Sequence, residues 1–257
     1  MSQTIKGFAR GAVSFKSMAV IAIITIGYQI YANSDYVTDE EMSFADFSYG
    51  LTSLAVGITA LFVAKRYRGS PVFGKTYLAL GVGFILLFAG DLIYNYYLLV
   101  LDEDPYPSIA DIFFIAFYAF AGYHIVQNVK YFKKDLGWNL KISVVIIAGI
   151  MIGAFGLFTL ETLDDDPTVY YMSMTYVVSS AILLALALVA FTVFRHSVLG
   201  IAWTMLVIGI FLYSVADVWY YYLEEIGEFS IKDPVNTLWV LSNAIMVYAL
   251  YKHKKTI

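Results

Sequence analysis

The chain has 257 residues, of which 60% are hydrophobic, 18% aromatic and 14% charged, with a mean hydropathy of +0.73. A soluble domain averages about 45–50% apolar and 25% charged residues, so this composition leaves too little polar surface to cover a water-soluble particle. Zero cysteines exclude disulfides, thiolate metal sites, iron–sulfur clusters and cysteine nucleophiles. Three histidines argue against a His-rich metal centre, and the net charge of −4 has meaning only when the two membrane faces are counted separately.

In chain order, apolar runs of spanning length lie at about 17–32, 44–64, 76–101, 109–129, 141–162, 170–194, 199–223 and 235–251, each near the roughly 20 residues a bilayer demands. The runs are continuously apolar rather than alternating, which predicts helices and not barrel strands. The first is short and ends in Tyr28, Gln29 and Tyr31. No small-residue cleavage site follows it, so it reads as a span rather than a signal peptide. The polar breaks are too short to fold alone, and residues 1–257 read as a single membrane domain.

The charges sort by sign. Lys6, Arg10, Lys16, Lys65, Arg66, Arg68, Lys75, Lys130, Lys133, Lys134, Lys141, Arg195, Lys252, Lys254 and Lys255 fall on one face, and only Lys232 on the other. By the positive-inside rule both termini are expected to be cytoplasmic, in the plasma membrane. Asp35, Asp39, Glu40, Glu41, Asp46, Asp102–Asp104, Asp111, Glu161, Asp164–Asp166, Glu224, Glu225, Glu228 and Asp233 gather at the opposite face. Asp135 is cytoplasmic, and Asp91 and Asp217 lie within spans. The acidic rim is either a cation-attracting vestibule or a solvated loop surface. Tyr94, Tyr96, Tyr97, Trp219, Tyr220, Tyr221 and Tyr222 read as an interfacial aromatic belt, with a ligand cage as the alternative.

The chain repeats itself. GKTYLALGVGFILLFAGDLIYNYYL from Gly74 aligns without gaps with GIAWTMLVIGIFLYSVADVWYYYLE from Gly200, pairing Asp91 with Asp217 and Tyr96 with Tyr222. YGLTSLAV from Tyr49 resembles YVVSSAIL from Tyr176. After each acidic loop, with Pro107 or Pro234, a helix is expected to open near Asp111 or Asn236 as N-cap. A period of four spans restores orientation, so two parallel four-helix repeats, at approximately 17–132 and 141–257, are expected.

A carboxyl in a span is costly and usually faces the bundle interior with a partner. Asp91 and Asp217 are outer-half residues expected to meet Tyr118, Asn243, Ser179 or Ser180 on facing spans. They serve as packing glue, as a sensing or proton/cation site, or as a catalytic acid and base. His124 lies about 12 Å from Asp91 along the membrane normal by helical rise, which excludes direct pairing. His196 and His253 are expected to be solvated or lipid-facing. No P-loop, zinc-protease or nucleophile-elbow motif is present, and no span holds a lysine for a retinal Schiff base. Basic cytoplasmic loops interleaved with Tyr67, Tyr131, Phe132 and Trp138 fit lipid headgroups, and nothing supports nucleic-acid binding.

The stretch GVGFILLFAGDLIYNYYLLVLDEDPYPSIADIFFIAFYAFAGYHI, with Pro105, Tyr106, Pro107, Ser108, Ala110, Asp111, Phe113 and Phe114 in its PYPSxADxFY-type loop, resembles the multi-span membrane sensor region of archaeal and bacterial signalling proteins. Such regions are usually fused to an output module; here the chain stops at Ile257, so a signal is expected to pass to a separate partner. Gly90, Asp91, Asp217 and the stretch Phe117–His124 also resemble the YhhN family of eight-span lysoplasmalogenases. That resemblance implies that Asp91 protonates a vinyl ether while Asp217 activates water, without a metal.

The expectation is therefore an all-α integral membrane protein of eight transmembrane helices. It acts as a sensor or ligand-binding module, with a pocket formed by Asp91, Asp217, Tyr118, Asn243, Tyr94 and Trp219. Its expected partners are membrane lipids, a lipid or small hydrophobic ligand, and a separate signalling protein, with no cofactor. The alternatives are a vinyl-ether lysolipid hydrolase and a proton or cation pathway.

Overall fold

The computed structural model describes residues 13–38, 43–133, 137–197 and 199–256; Lys6, Arg10, Asp39, Glu40, Glu41, Lys134 and Asp135 of the charge count lie outside them. All the regular structure among the described residues is helical. The long helices are α1 (Phe15–Ala32), α2 (Phe44–Arg66), α3 (Phe73–Tyr96, continuing as a π-helical turn Tyr97–Leu101) and α4 (Ala110–Phe132), followed by α5 (Trp138–Phe158), α7 (Pro167–Phe194), α8 (Gly200–Glu225) and α9 (Pro234–Thr256). A single turn, α6 (Thr162–Asp165), precedes α7. Every expected run is a helix, with ends moved by at most five residues.

The starts are set by local chemistry. Ser43 and Asp46 form a capping box at α2, satisfying amides that a helix end leaves unpaired. Asp166 accepts from the amides of Thr168 and Val169 ahead of α7, with Pro167 in its first turn, where a missing N–H costs nothing.

Six helices close a ring: α2, α3, α4, α7, α8 and α9 each pack on the next, and α9 returns to α2. Outside it, α5 lies on α7, and α1 lies on α9 with a lighter contact to α2. Helix α5 buries one side chain, Phe155, while Val145, Leu157 and Phe158 are at least 71% exposed. A helix that is apolar all round and uncovered is suited to hydrocarbon, not water. Seven helices, α1 to α5, α7 and α8, are long and apolar enough to cross a membrane. The chain is thus a helical, membrane-embedded protein whose outer helices contact lipid. The eighth expected span, α9, falls below that level because Asn236, Ser242, Asn243 and His253 are polar, and all four are at most 1% exposed. Its polarity is spent inside the ring.

Close approaches recur at one spacing. A Cβ on Gly83 of α3 would lie 2.9 Å from Phe120 of α4, and one on Gly209 of α8 would lie 2.4 Å from Met246 of α9; both members of the second pair stand 126 residues after those of the first. Half a turn around the ring carries α2 to α7, α3 to α8 and α4 to α9. The loops before α4 and α9 also match. In Ser108-Ile109-Ala110-Asp111 the Ser108 amide donates to Asp111 Oδ2 at 2.6 Å, and in Ser230-Ile231-Lys232-Asp233 the Ser230 amide donates to Asp233 Oδ2 at 2.8 Å. Neither Asp111 nor Asn236 is an N-cap. Asp111 lies inside the first turn of α4, and Asn236 donates to the carbonyls of Ser230 and Ile231.

At the end that carries the basic residues the ring is filled by aromatic side chains. Phe132 stacks on Phe73 at 5.5 Å and meets Phe194 at 5.3 Å, and Phe194 stacks on Trp203 at 4.3 Å. His124 stacks on Trp203 at 5.6 Å, and its Nδ1 is 3.1 Å from the Thr76 carbonyl. Thr76 precedes Asp91 by fifteen residues, about 22 Å of helix, so His124 is far from Asp91, in line with expectation. His253 is neither solvated nor lipid-facing. It is 1% exposed and sits 4.7 Å from the Tyr77 ring, because the last turns of α9 pack inside the ring instead of leaving it. His196 is exposed.

Candidate functional site

The opposite half of the ring is hollow. A cavity of about 430 Å³ reaches from Leu87 and Tyr213 up to the loops at Asp104–Tyr106 and Phe229–Ile231. From Leu87 to Leu98, both on its wall, α3 rises about 16 Å. Beneath it the space is closed by Phe84 against Phe117 at 4.8 Å and Phe117 against Tyr213 at 5.4 Å.

Both span aspartates line this cavity, and their surroundings differ. Asp217, 3% exposed, receives three hydrogen bonds. Tyr118 donates at 2.6 Å and Ser180 at 3.0 Å to Oδ2, and Trp239 Nε1 donates at 2.9 Å to Oδ1. These donors come from α4, α7 and α9, so one carboxyl ties three helices to α8. Asp91, 9% exposed, has no donor among the described residues. Its Oδ2 is buried without a partner and lies against Gly50 of α2, where a Cβ would come within 2.9 Å.

The remaining walls are aromatic and acidic. Tyr49 and Trp239 rings lie 6.0 Å apart, Trp239 and Tyr220 5.2 Å, and Tyr220 and Phe229 4.8 Å. The Tyr94 and Tyr220 hydroxyls meet at 3.5 Å. The lining carboxyls are Asp46, Asp91, Asp104, Asp111, Asp217 and Glu224, and among the described residues no lysine, arginine or histidine joins them. The Pro105–Asp111 segment closes the cavity toward α7, since Tyr176 donates to Asp111 and the Tyr106 and Ser173 hydroxyls are 3.0 Å apart. Burial, opposed by the Ser173 hydrogen bond and aided by the nearby charge of Asp111, holds the Tyr106 phenol above its usual range, so it stays protonated and able to donate.

Of the expected pocket residues, Asp91, Asp217, Tyr118 and Tyr94 meet at the cavity. Asn243 does not reach either aspartate; it donates to Thr52 at 3.0 Å and Ser53 at 3.1 Å, fastening α9 to α2. Trp219 points away and is 38% exposed, one helical step from the inward-facing Tyr220. Ser179 bonds the Thr175 carbonyl in its own helix. The aromatic belt divides likewise: Tyr94, Tyr220 and Tyr221 line the cavity, whereas Tyr96 and Tyr222 are exposed. Sequence reasoning missed Tyr49, Tyr176 and Trp239. The signal for the first two was the alignment of the segments they open.

Among the described residues no group of three or more His, Asp or Glu is arranged to hold a metal ion. Neither a family model, nor a curated protein, nor a solved structure matches the chain.

Proposed function

We propose that this chain is a membrane-embedded ligand-binding or sensor module of eight spans, built from two parallel four-helix repeats, with both termini cytoplasmic and the cavity mouth on the outer side of the plasma membrane. The repeat reading is supported by the 126-residue recurrence of the glycine contacts, and the orientation by the sorting of charge. The binding reading rests on one observation: a cavity of about 430 Å³ holds a buried carboxyl, Asp91, that no described residue satisfies. Small-molecule sites have this size and combine apolar walls with a few convergent polar groups. A signal passes to a separate partner.

The test is thermal unfolding of the purified full chain in nanodiscs, with and without an extract of its native membrane and medium. A ligand at a hundred times its Kd stabilises by about 2.7 kcal/mol. Leu87→Trp, which grows into the cavity, is expected to abolish that shift while leaving the unliganded protein folded. If the shift persists in Leu87→Trp, binding lies elsewhere and the cavity is not the site.

The second reading, hydrolysis of vinyl-ether lysolipids, is favoured by the presence of both carboxyls in the lining of one cavity. Aldehyde release that is lost in both Asp91→Asn and Asp217→Asn would establish it; no release over background sinks it. A proton or cation pathway is less well supported, because Phe84, Phe117 and Tyr213 close the cavity floor.

A further inference from the structure

We infer that the ligand of the cavity is a small organic cation, its ammonium group held at Asp91 and its hydrocarbon body laid against the rings of Tyr49, Tyr94, Tyr220 and Trp239. This rests on the cavity being a ligand site. The first support is the charge of the lining, which among the described residues is six carboxyls and no basic group. A low-dielectric cleft lined by one sign of charge concentrates the opposite ion and repels anions.

The second support is the state of those carboxyls. Asp46 accepts from the Ser43 amide and hydroxyl, Asp104 from the Tyr106 amide, Asp111 from Ser108 and Tyr176, and Asp217 from three side chains. Asp91 is the deep one left open. Removing a carboxylate from water without a partner costs several kcal/mol, and an ammonium group is the partner that offsets it.

The third support is what surrounds the open carboxyl. Calcium or magnesium takes six or more oxygens at about 2.0–2.6 Å, whereas here Asp46, Asp104, Asp111 and Asp217 already accept hydrogen bonds and much of the wall is aromatic. Aromatic faces attract cations through their quadrupole, and cages of such rings recognise substituted ammonium groups. The contiguous series Tyr49, Trp239, Tyr220, Tyr94 comes from four helices, α2, α9, α8 and α3, which presents rings from several sides of one space.

The test uses the full chain in phosphatidylglycerol nanodiscs, which carry no cationic headgroup. It is titrated with choline, with its neutral isostere 3,3-dimethylbutan-1-ol, and with sodium and calcium chloride at matched ionic strength. Thermal stability and tryptophan fluorescence are read. Choline is expected to produce a saturable shift at least tenfold stronger than the isostere, with none from either salt. Asp91→Asn and Tyr220→Leu are each expected to weaken it at least tenfold. A second set of nanodiscs, containing phosphatidylcholine, distinguishes the source. A headgroup ligand shifts the protein there before any choline is added, and a free solute does not. If the isostere matches choline, or if Asp91→Asn binds choline unchanged, the cation assignment is overturned while the cavity reading stands. A calcium shift equal to that of choline overturns it in favour of a metal. If no probe acts and the Leu87→Trp comparison also fails, both readings fall together.

Discussion

Asp91 and Asp217 stand 126 residues apart on α3 and α8, half a ring from each other, yet among the described residues Asp217 takes three hydrogen bonds and Asp91 none. Of these two carboxyls one is bonded to three helices and the other has no hydrogen bond among the described residues. Asp217→Ala strands the buried donors of Tyr118, Ser180 and Trp239 and is expected to destabilise the protein by about 2–4 kcal/mol. Asp91→Asn is expected to leave stability unchanged or raise it. Thermal unfolding in one detergent ranks the two, and the reverse order would refute the division of roles.

The approach of α8 to α9 at Gly209 leaves no room for a methyl group, since a Cβ would lie 2.4 Å from Met246 Cγ and 3.1 Å from the Ser242 carbonyl. Gly209→Ala is expected to cost about 1–3 kcal/mol through overpacking. Met246→Ala removes the side-chain part of the clash, so the double variant is expected to lose less than the sum of the two single changes. Additive losses would place the strain elsewhere.

His253 is packed among Tyr67, Phe73 and Tyr77, and neither ring nitrogen has a partner among the described residues. His253→Phe keeps the ring contacts and removes two desolvated polar atoms, so a gain of about 1 kcal/mol is expected. His124→Phe instead forfeits the contact with the Thr76 carbonyl and is expected to lose stability. Guanidinium or heat unfolding of the two variants reads the contrast.

The absence of cysteine makes introduced thiols unambiguous reporters of sidedness. A membrane-impermeant maleimide is expected to label Glu103→Cys on intact cells, and Arg68→Cys only after permeabilisation. The opposite pattern would invert the proposed orientation.

Asp111 clamps the Pro105–Asp111 segment by accepting from Ser108 and Tyr176. Asp111→Ala is expected to destabilise by about 1.5–3 kcal/mol and to expose the 102–109 loop to proteolysis, measured by cleavage of the purified protein. Tyr176→Phe is expected to do the same more weakly, because the Ser108 bond survives.

The helices were legible because hydrocarbon demands long apolar runs, and that demand is written residue by residue. Which side of a helix faces inward was less so. In lipid both faces are apolar, and α5 and α7 read alike although one is almost wholly uncovered and the other central to the packing. Where a polar group interrupted the run, the reading was better. Tyr118 and Ser180 were among the partners expected for the aspartates, and they do meet Asp217. Trp219 and Trp239 illustrate the limit, since both sit near the outer end of a helix in sequence, and only the three-dimensional turn of α8 and α9 separates an exposed ring from one bonded to Asp217. His253 was misjudged because the basic residues around it suggested water, whereas its helix turns that ring into the core.

The floor made by Phe84, Phe117 and Tyr213 gives the molecule the form of a cup instead of a tube. On the proposed binding reading a ligand enters and leaves by the same mouth, so occupancy follows its concentration in the one compartment that the mouth faces. On that reading the dwell time is set at the rim, where Tyr106 and Asp111 are fastened to α7, and loosening those fastenings is expected to speed filling and emptying alike without changing the level of filling.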